Sequence, residues 1–270
     1  MICWLPKTLS LSHSLELGFL FAIAMMFVIW LIAVGIKNAG IVDIAWSLGF
    51  LPMALIATIF GSGDNTRKLL IGVMACLWSL RLGVYLWLRV MKHHPEEDGR
   101  YKTLREQFPR HTNLMFLGFF ELQAVLLVVL SVPFFLISQN QAPTLHPLEW
   151  IGFAIWIVAI CGEAIADYQL HQFRMRPESR GHTCQIGLWH YSRHPNYFFE
   201  WLIWVAYFLF ALASPWGWIT LYCPLLMLYF LLRVTGIPAT EAHAVKSRGE
   251  EYRKYQRTTS GFIPWFPKKS

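Results

Sequence analysis

The chain has 270 residues, 56% of them hydrophobic and 14% charged, with a formal net charge of +7. Soluble domains run near one quarter charged, so this composition excludes a soluble globular class and indicates a polytopic membrane protein. The basic excess calls for no nucleic acid, because positively charged cytoplasmic loops account for it.

The first ten residues, MICWLPKTLS, precede an apolar run too long for a signal peptide, which is therefore read as a membrane span. A span needs about 20 apolar residues. Seven runs qualify: 14–36, 41–60, 69–91, 114–138, 148–170, 197–213 and 216–233, the sixth being the shortest. Asn38-Ala39-Gly40 joins the first two tightly. Gly61-Ser62-Gly63-Asp64 reads as a plain turn, since GSGDNTRK lacks the spacing of a phosphate loop. The charged stretch from Lys92 to Arg110 reads as a solvated connector at the membrane surface, with His93 and His94 as loop residues. From Thr240 to Arg257 a cytoplasmic helix is expected, interrupted at Gly249 and packed through Val245, Tyr252 and Tyr255. Gly261 to Pro267 (GFIPWFP) reads as an aromatic anchor at the interface.

The expected fold is all-α: one integral-membrane domain over 1–270, with about seven transmembrane helices and a cytoplasmic C-terminal helix. Of the 23 Lys and Arg residues, eighteen fall on the side of the C-terminal tail. Three, Lys7, Arg67 and Lys68, fall on the other. This asymmetry puts the C-terminus in the cytoplasm and the N-terminus outside. The five cysteines (Cys3, Cys76, Cys161, Cys184, Cys223) form no CxxC pair, so no disulfide framework or thiolate metal site is indicated.

The chemistry concentrates between Gly181 and Trp201 (GHTCQIGLWHYSRHPNYFFEW). Polar groups this dense beside membrane-length apolar runs are costly unless they hold a ligand or each other. Asn196 and Glu200 are four apart and share a helix face. His190 and His194 are also four apart, but Pro195 follows and no third ligand is suitably spaced, so no metal site is assigned. In the third span Arg81, Tyr85 and Arg89 recur every four residues, with Trp78 one turn earlier. Arg89 can snorkel to the cytoplasm. Arg81 lies roughly 15 Å deeper than that surface and needs a carboxylate, carbonyls or an anion. Asp43 in the second span, and Glu163 and Asp167 in the fifth, supply carboxylates, and Arg174 shares the Asp167 face. These carboxylates either neutralise the arginines or line a common polar cavity on the cytoplasmic side.

At ADYQLHQFRMRP and GLWHYSRHPNYFFEW, and again at EEYRKYQRTTSGFIPWFP, the chain resembles the steroid 5-alpha-reductase family. It looks closest to a bacterial branch of unassigned substrate. The resemblance covers about residues 40–267 and is strongest over 167–266. It implies a seven-helix membrane fold that binds NADPH and reduces an activated carbon–carbon double bond in a lipid or steroid-like substrate. Six residues match the family's cofactor pocket: Arg81, Tyr85, Asp167, Arg174, Asn196 and Glu200. Tyr191, Arg193, His194 and Tyr197 are added as neighbours, with Arg174, Arg193 and Lys92 expected at the phosphates. The catalytic candidates are Asp43, Trp78 and Tyr85, which would stabilise a developing enolate. Trp78 stands where the steroid enzymes place a Tyr, and Asp43-Ile44 where they carry Gln-Glu. No obligate protein partner is indicated.

Arg193 to Tyr197 (Arg-His-Pro-x-Tyr) is also similar to isoprenylcysteine carboxyl and phospholipid methyltransferases, which bind S-adenosylmethionine. Their paired glutamates at the start of the last helix meet here a single Glu241, with Glu250-Glu251 later. A non-enzymatic lipid-binding membrane protein is the third reading.

Overall fold

The computed structural model describes residues 8–93, 95–234 and 236–268. Cys3, Lys7, His94 and the N-terminal leader of the first span lie outside them. Among the described residues the chain is helical, with no strand beyond one bridge between Ser192 and Ser260. It divides into two compact units, 1–145 with 214–217, and 146–213 with 218–270.

The first unit holds α1 (Leu11–Ile36), α2 (Ile41–Phe60), α3 (Asn65–His93), α4 (Gly99–Gln107) and α5 (Thr112–Ser138). The second holds α6 (Pro147–Met175), α7 (Leu188–Tyr191), α8 (Pro195–Ala211), α9 (Tyr222–Tyr229), α10 (Ile237–Arg248) and α11 (Glu250–Thr258). A π-helical turn, Phe230–Val234, follows α9. Six helical runs are long and apolar enough to cross a membrane: α1, α2, α3, α5, α6 and Gly217–Arg248. The chain is thus a multi-pass integral membrane protein. The sixth expected span, α8, has 17 residues. At helical rise it reaches about 25 Å, short of the roughly 30 Å hydrocarbon core.

Sequence sets the helix ends. The Ser10 side chain accepts from the backbone N–H of His13 and starts α1. Lys37 closes it in the left-handed region (φ 56°), and Asn38 Oδ1 then accepts from Gly40 N–H at 2.9 Å, so α2 turns straight back. His146 and Glu149 make a reciprocal capping box at α6. The 61–64 turn is pinned to the end of α5: Gly63 and Asp64 N–H donate to Ser138 and Asn140 carbonyls at 2.8 and 2.9 Å. Arg67, expected only as an outer-side charge, is 1% exposed. Its guanidinium donates to the carbonyls of Asn140, Ala142 and Thr144, which no helix satisfies after α5 ends.

The charged stretch before α5 is more than a solvated connector. It folds into α4, whose Tyr101 is 3% exposed and packs edge-on Phe119. Glu97 accepts the Ala39 N–H at 2.7 Å and locks the α1–α2 turn. His93 closes α3 rather than lying in the loop.

Small residues let the spans approach, as membrane helices require in the absence of a hydrophobic driving force between them. On α6, Gly152 faces α8, where an added Cβ would sit 2.9 Å from both the Ala206 carbonyl oxygen and the Phe210 nitrogen. These are backbone atoms and cannot rotate away. By contrast, a Cβ at Gly118 of α5 meets nothing within 4 Å. Gly152→Ala is therefore expected to destabilise by about 1–3 kcal/mol, while Gly118→Ala is neutral or better. Thermal unfolding of the two variants in detergent checks the contrast; equal midpoints would refute the packing.

Candidate functional site

In the second unit the Gly181–Trp201 stretch is built around turns that neighbouring side chains hold by their backbone. Gly187 lies at φ 56°, and a Cβ there would collide with the Gln169 side chain. Gln169 Oε1 accepts the next N–H, that of Leu188, at 2.8 Å. Trp189 Nε1 donates to the Ala166 carbonyl at 2.9 Å and fixes α7 on α6. Pro195 then starts α8, a favoured place for proline because its missing N–H costs nothing there.

Arg193 sits between these turns and the C-terminal helices. Its Nε donates to Glu241 Oε1 at 2.7 Å, and its Nη1 to the carbonyls of Gln256 and Thr259 at 3.0 and 2.6 Å. His194 Nε2 lies 3.2 Å from the same Glu241 oxygen, and Gln256 Nε2 donates to the other at 2.8 Å. Backbone bonds add to the clasp: Arg193 N–H donates to Ser260 at 2.8 Å and Trp265 N–H to Tyr191 at 2.9 Å. The Tyr255 hydroxyl donates to the carbonyls of Trp189 and Ser192. Tyr252 and Tyr255 are buried with Ala244, and Val245 packs on them, as expected for the tail. Burial first, then the nearby Glu241 carboxylate, pushes the Tyr252 phenol up to about 12. Burial also holds the Tyr255 phenol well above its ordinary value. Both therefore remain donors.

The sequence assigned Arg193 to a bound phosphate. The structure commits its Nε and Nη1 to protein acceptors. Sequence reasoning gave Glu241 and Gln256 no place here. They stand 48 and 63 residues after Arg193, and the only signal was a lone glutamate in the first turns of a helix.

A second cluster is organised differently. Asn196 Nδ2 donates to Asp167 Oδ1 at 3.2 Å, joining α8 to α6. Asn196 Oδ1 is buried and has no hydrogen-bond partner among the described residues. Exchanging the amide atoms would set oxygen against the Asp167 carboxylate, so the acceptor is the atom left over. A buried orphan acceptor of this kind fits an N–H or O–H of a bound molecule. One turn on, Glu200 is 8% exposed and accepts from Trp204 Nε1 at 3.1 Å. Tyr197 stacks on His194, with ring centroids 5.4 Å apart and planes 6° apart, and its hydroxyl lies 3.3 Å from Thr240 Oγ1. Arg174, in the last turn of α6, and Tyr191 are exposed. Exposed Arg174 is thus able to meet an anion, and Asn196, Asp167 and Glu200 could hold the uncharged parts of a dinucleotide.

The remaining candidates belong to the first unit. Asp43 accepts from the Tyr101 hydroxyl at 2.7 Å and from Arg100 Nη2 at 2.8 Å. Burial, then the Asp43 carboxylate, raises the Tyr101 phenol far above its ordinary value. Trp78 is fully buried against Phe50, centroids 4.9 Å apart. Arg81 and Tyr85 are half-buried one turn apart on α3. Arg89 reaches the loop as expected and pairs with Asp98 at 3.3 Å.

Residues 29–259 match the model of a family described as a protein of unknown function, DUF1295, and the chain belongs to that family. An uncharacterized protein of Schizosaccharomyces pombe is 26% identical over 232 residues. That match takes in 75% of this chain and 66% of the relative, slightly under two thirds of its length. No solved structure gives a significant match.

The clasp makes a direct prediction. Glu241→Ala leaves Arg193 and His194 without their shared carboxylate and is expected to cost about 3 kcal/mol. Arg193→Lys, with one ammonium for three acceptors, is expected to recover little of the stability that Arg193→Ala loses. Denaturation in detergent measures both; a Lys variant as stable as the parent would show that the forked geometry is dispensable.

Proposed function

We propose that the protein is a membrane-embedded reductase that uses NADPH to reduce an activated carbon–carbon double bond in a lipid or steroid-like substrate. The observation that supports this most is the Asp167–Asn196 pair, which holds a buried amide oxygen with no donor among the described residues. Its family is also related to the steroid 5-alpha-reductase superfamily. Bound NADPH would supply hydride. In this reading Asn196 accepts a hydrogen bond from the cofactor, and Asp167 fixes the amide so that its oxygen points the right way. Glu200 accepts a further donor, and Arg174 offers its planar guanidinium to phosphate oxygens. Asp43, Trp78 and Tyr85 are proposed as catalytic residues, and Arg81 as a further cofactor residue. The proposal includes a bacterial inner membrane with the N-terminus outside and the tail in the cytoplasm.

Thermal stability of the detergent-purified protein, with NADPH, NADH or S-adenosylmethionine added separately, tests the reading, since a ligand that binds only the folded state raises the melting point. NADPH is expected to stabilise selectively. Asn196→Ala should weaken NADPH binding at least tenfold, the loss of about 1.4 kcal/mol of hydrogen bonding, while the variant's own unfolding stays cooperative. Unchanged NADPH affinity in Asn196→Ala would refute the site. Selective stabilisation by S-adenosylmethionine would replace the reductase with a methyltransferase.

A further inference from the structure

The first unit contains a cavity of about 640 Å³ that the reductase reading does not use. Its wall includes Val34, in the last turn of α1, and Asn113, in the first turn of α5. Both are ends of membrane-crossing helices, so the cavity lies where hydrocarbon gives way to headgroups. Three cations line it: Lys37, Lys102 and Arg105.

Arg105 is preorganised. Its Nε and Nη2 donate to the two oxygens of Glu97 at 2.7 and 3.0 Å, and its guanidinium lies 4.8 Å from the centre of the Phe116 ring. Glu97 is itself fixed, 9% exposed and bound to the Ala39 N–H. One edge of the guanidinium is thus anchored, while Nη1 donates to no protein acceptor among the described residues. Lys37 and Lys102 likewise make no ion pair among the described residues. One lining carboxylate, Glu96, opposes the three cations and makes no ion pair among the described residues, and Glu97 is consumed by Arg105. The lining therefore carries three cations against two carboxylates, a net positive charge, beside the apolar Val34 and Pro95.

We infer that this cavity, between the cytoplasmic end of α1, the loop before α4 and the start of α5, binds the headgroup phosphate of an anionic phospholipid. A soluble anion would use the cations alone. A lipid also uses the apolar wall, with the phosphate on Arg105, Lys37 and Lys102 and its chains running toward the bilayer. The fixed Arg105 supplies directional donors, and the two lysines supply field strength. The site is independent of any nucleotide chemistry in the second unit.

Native mass spectrometry of the full-length protein, delipidated in detergent and offered phosphatidylglycerol, phosphatidylcholine or glycerol 3-phosphate, tests it. One retained phosphatidylglycerol is expected, with phosphatidylcholine retained far less. Lys37→Gln with Lys102→Gln should lower phosphatidylglycerol affinity by about fivefold per lysine, and Glu96→Gln should raise it. Both lysines are exposed, so the double variant should unfold at the parent's temperature. Equal retention of phosphatidylglycerol by the parent and a folded double variant would overturn the site. Equal retention of phosphatidylcholine would overturn the charge selectivity. Binding of glycerol 3-phosphate as tight as that of the lipid would overturn the assignment to a phospholipid.

Discussion

A chain inside a bilayer has no water with which to satisfy its backbone, so each peptide group must find its partner in the protein. Helices solve this along their length and fail at their ends, where several N–H and C=O groups are left over. In this protein charged side chains close many of those ends. Arg67 gathers three carbonyls beyond α5. Arg193 gathers two at the C-terminal end of α11, those of Gln256 and Thr259. Glu97, Glu149 and Glu251 take the N–H groups of Ala39, His146 and Thr183. Three of these five side chains, Arg67, Glu97 and Glu149, are buried.

The same use divides the polar residues of the Gly181–Trp201 stretch into two kinds. Arg193 and His194 are turned toward Glu241 and the C-terminal helices, where they act as framework. Asn196 starts from the same turn but points its amide to α6, where Asp167 takes the N–H and leaves the oxygen over. A rigid frame beside an unsatisfied acceptor is the arrangement a binding site needs, because the frame holds the acceptor in place before a ligand arrives. The first unit repeats the pattern at a different level. Glu97 fixes Arg105 by one edge, and the other edge faces a cavity.

Much of the fold was legible because apolar length and turn chemistry are local. Each expected apolar run is a helix, Asn38 to Gly40 makes a tight turn, and the tail breaks at Gly249, whose φ of 58° favours glycine. Tyr252 and Tyr255 are buried and Val245 packs on them, the three residues expected to hold the tail. The reach of α8 lay at the margin, since its 17 helical residues fall short of the hydrocarbon core by about one turn. Asn196 and Asp167 were both legible as polar residues near the ends of apolar runs, but their mutual hydrogen bond was not. The partner of Arg193 could not be found, because any of several carboxylates satisfies the demand for a counter-charge.

The sequence by itself determined the membrane class, the order of the apolar helices and the segment where polar groups collect, although it counted seven spans where six helical runs are long and apolar enough to cross. These follow from hydropathy and from backbone rules that act over a few residues. Only the tertiary structure decided which charge meets which: Arg193 with Glu241, Asp43 with Arg100 and Tyr101, and Glu97 with Arg105 and the α1–α2 turn. The reason is physical. A Coulombic demand can be met by any opposite charge within reach, and reach is set by helix packing rather than by separation along the chain.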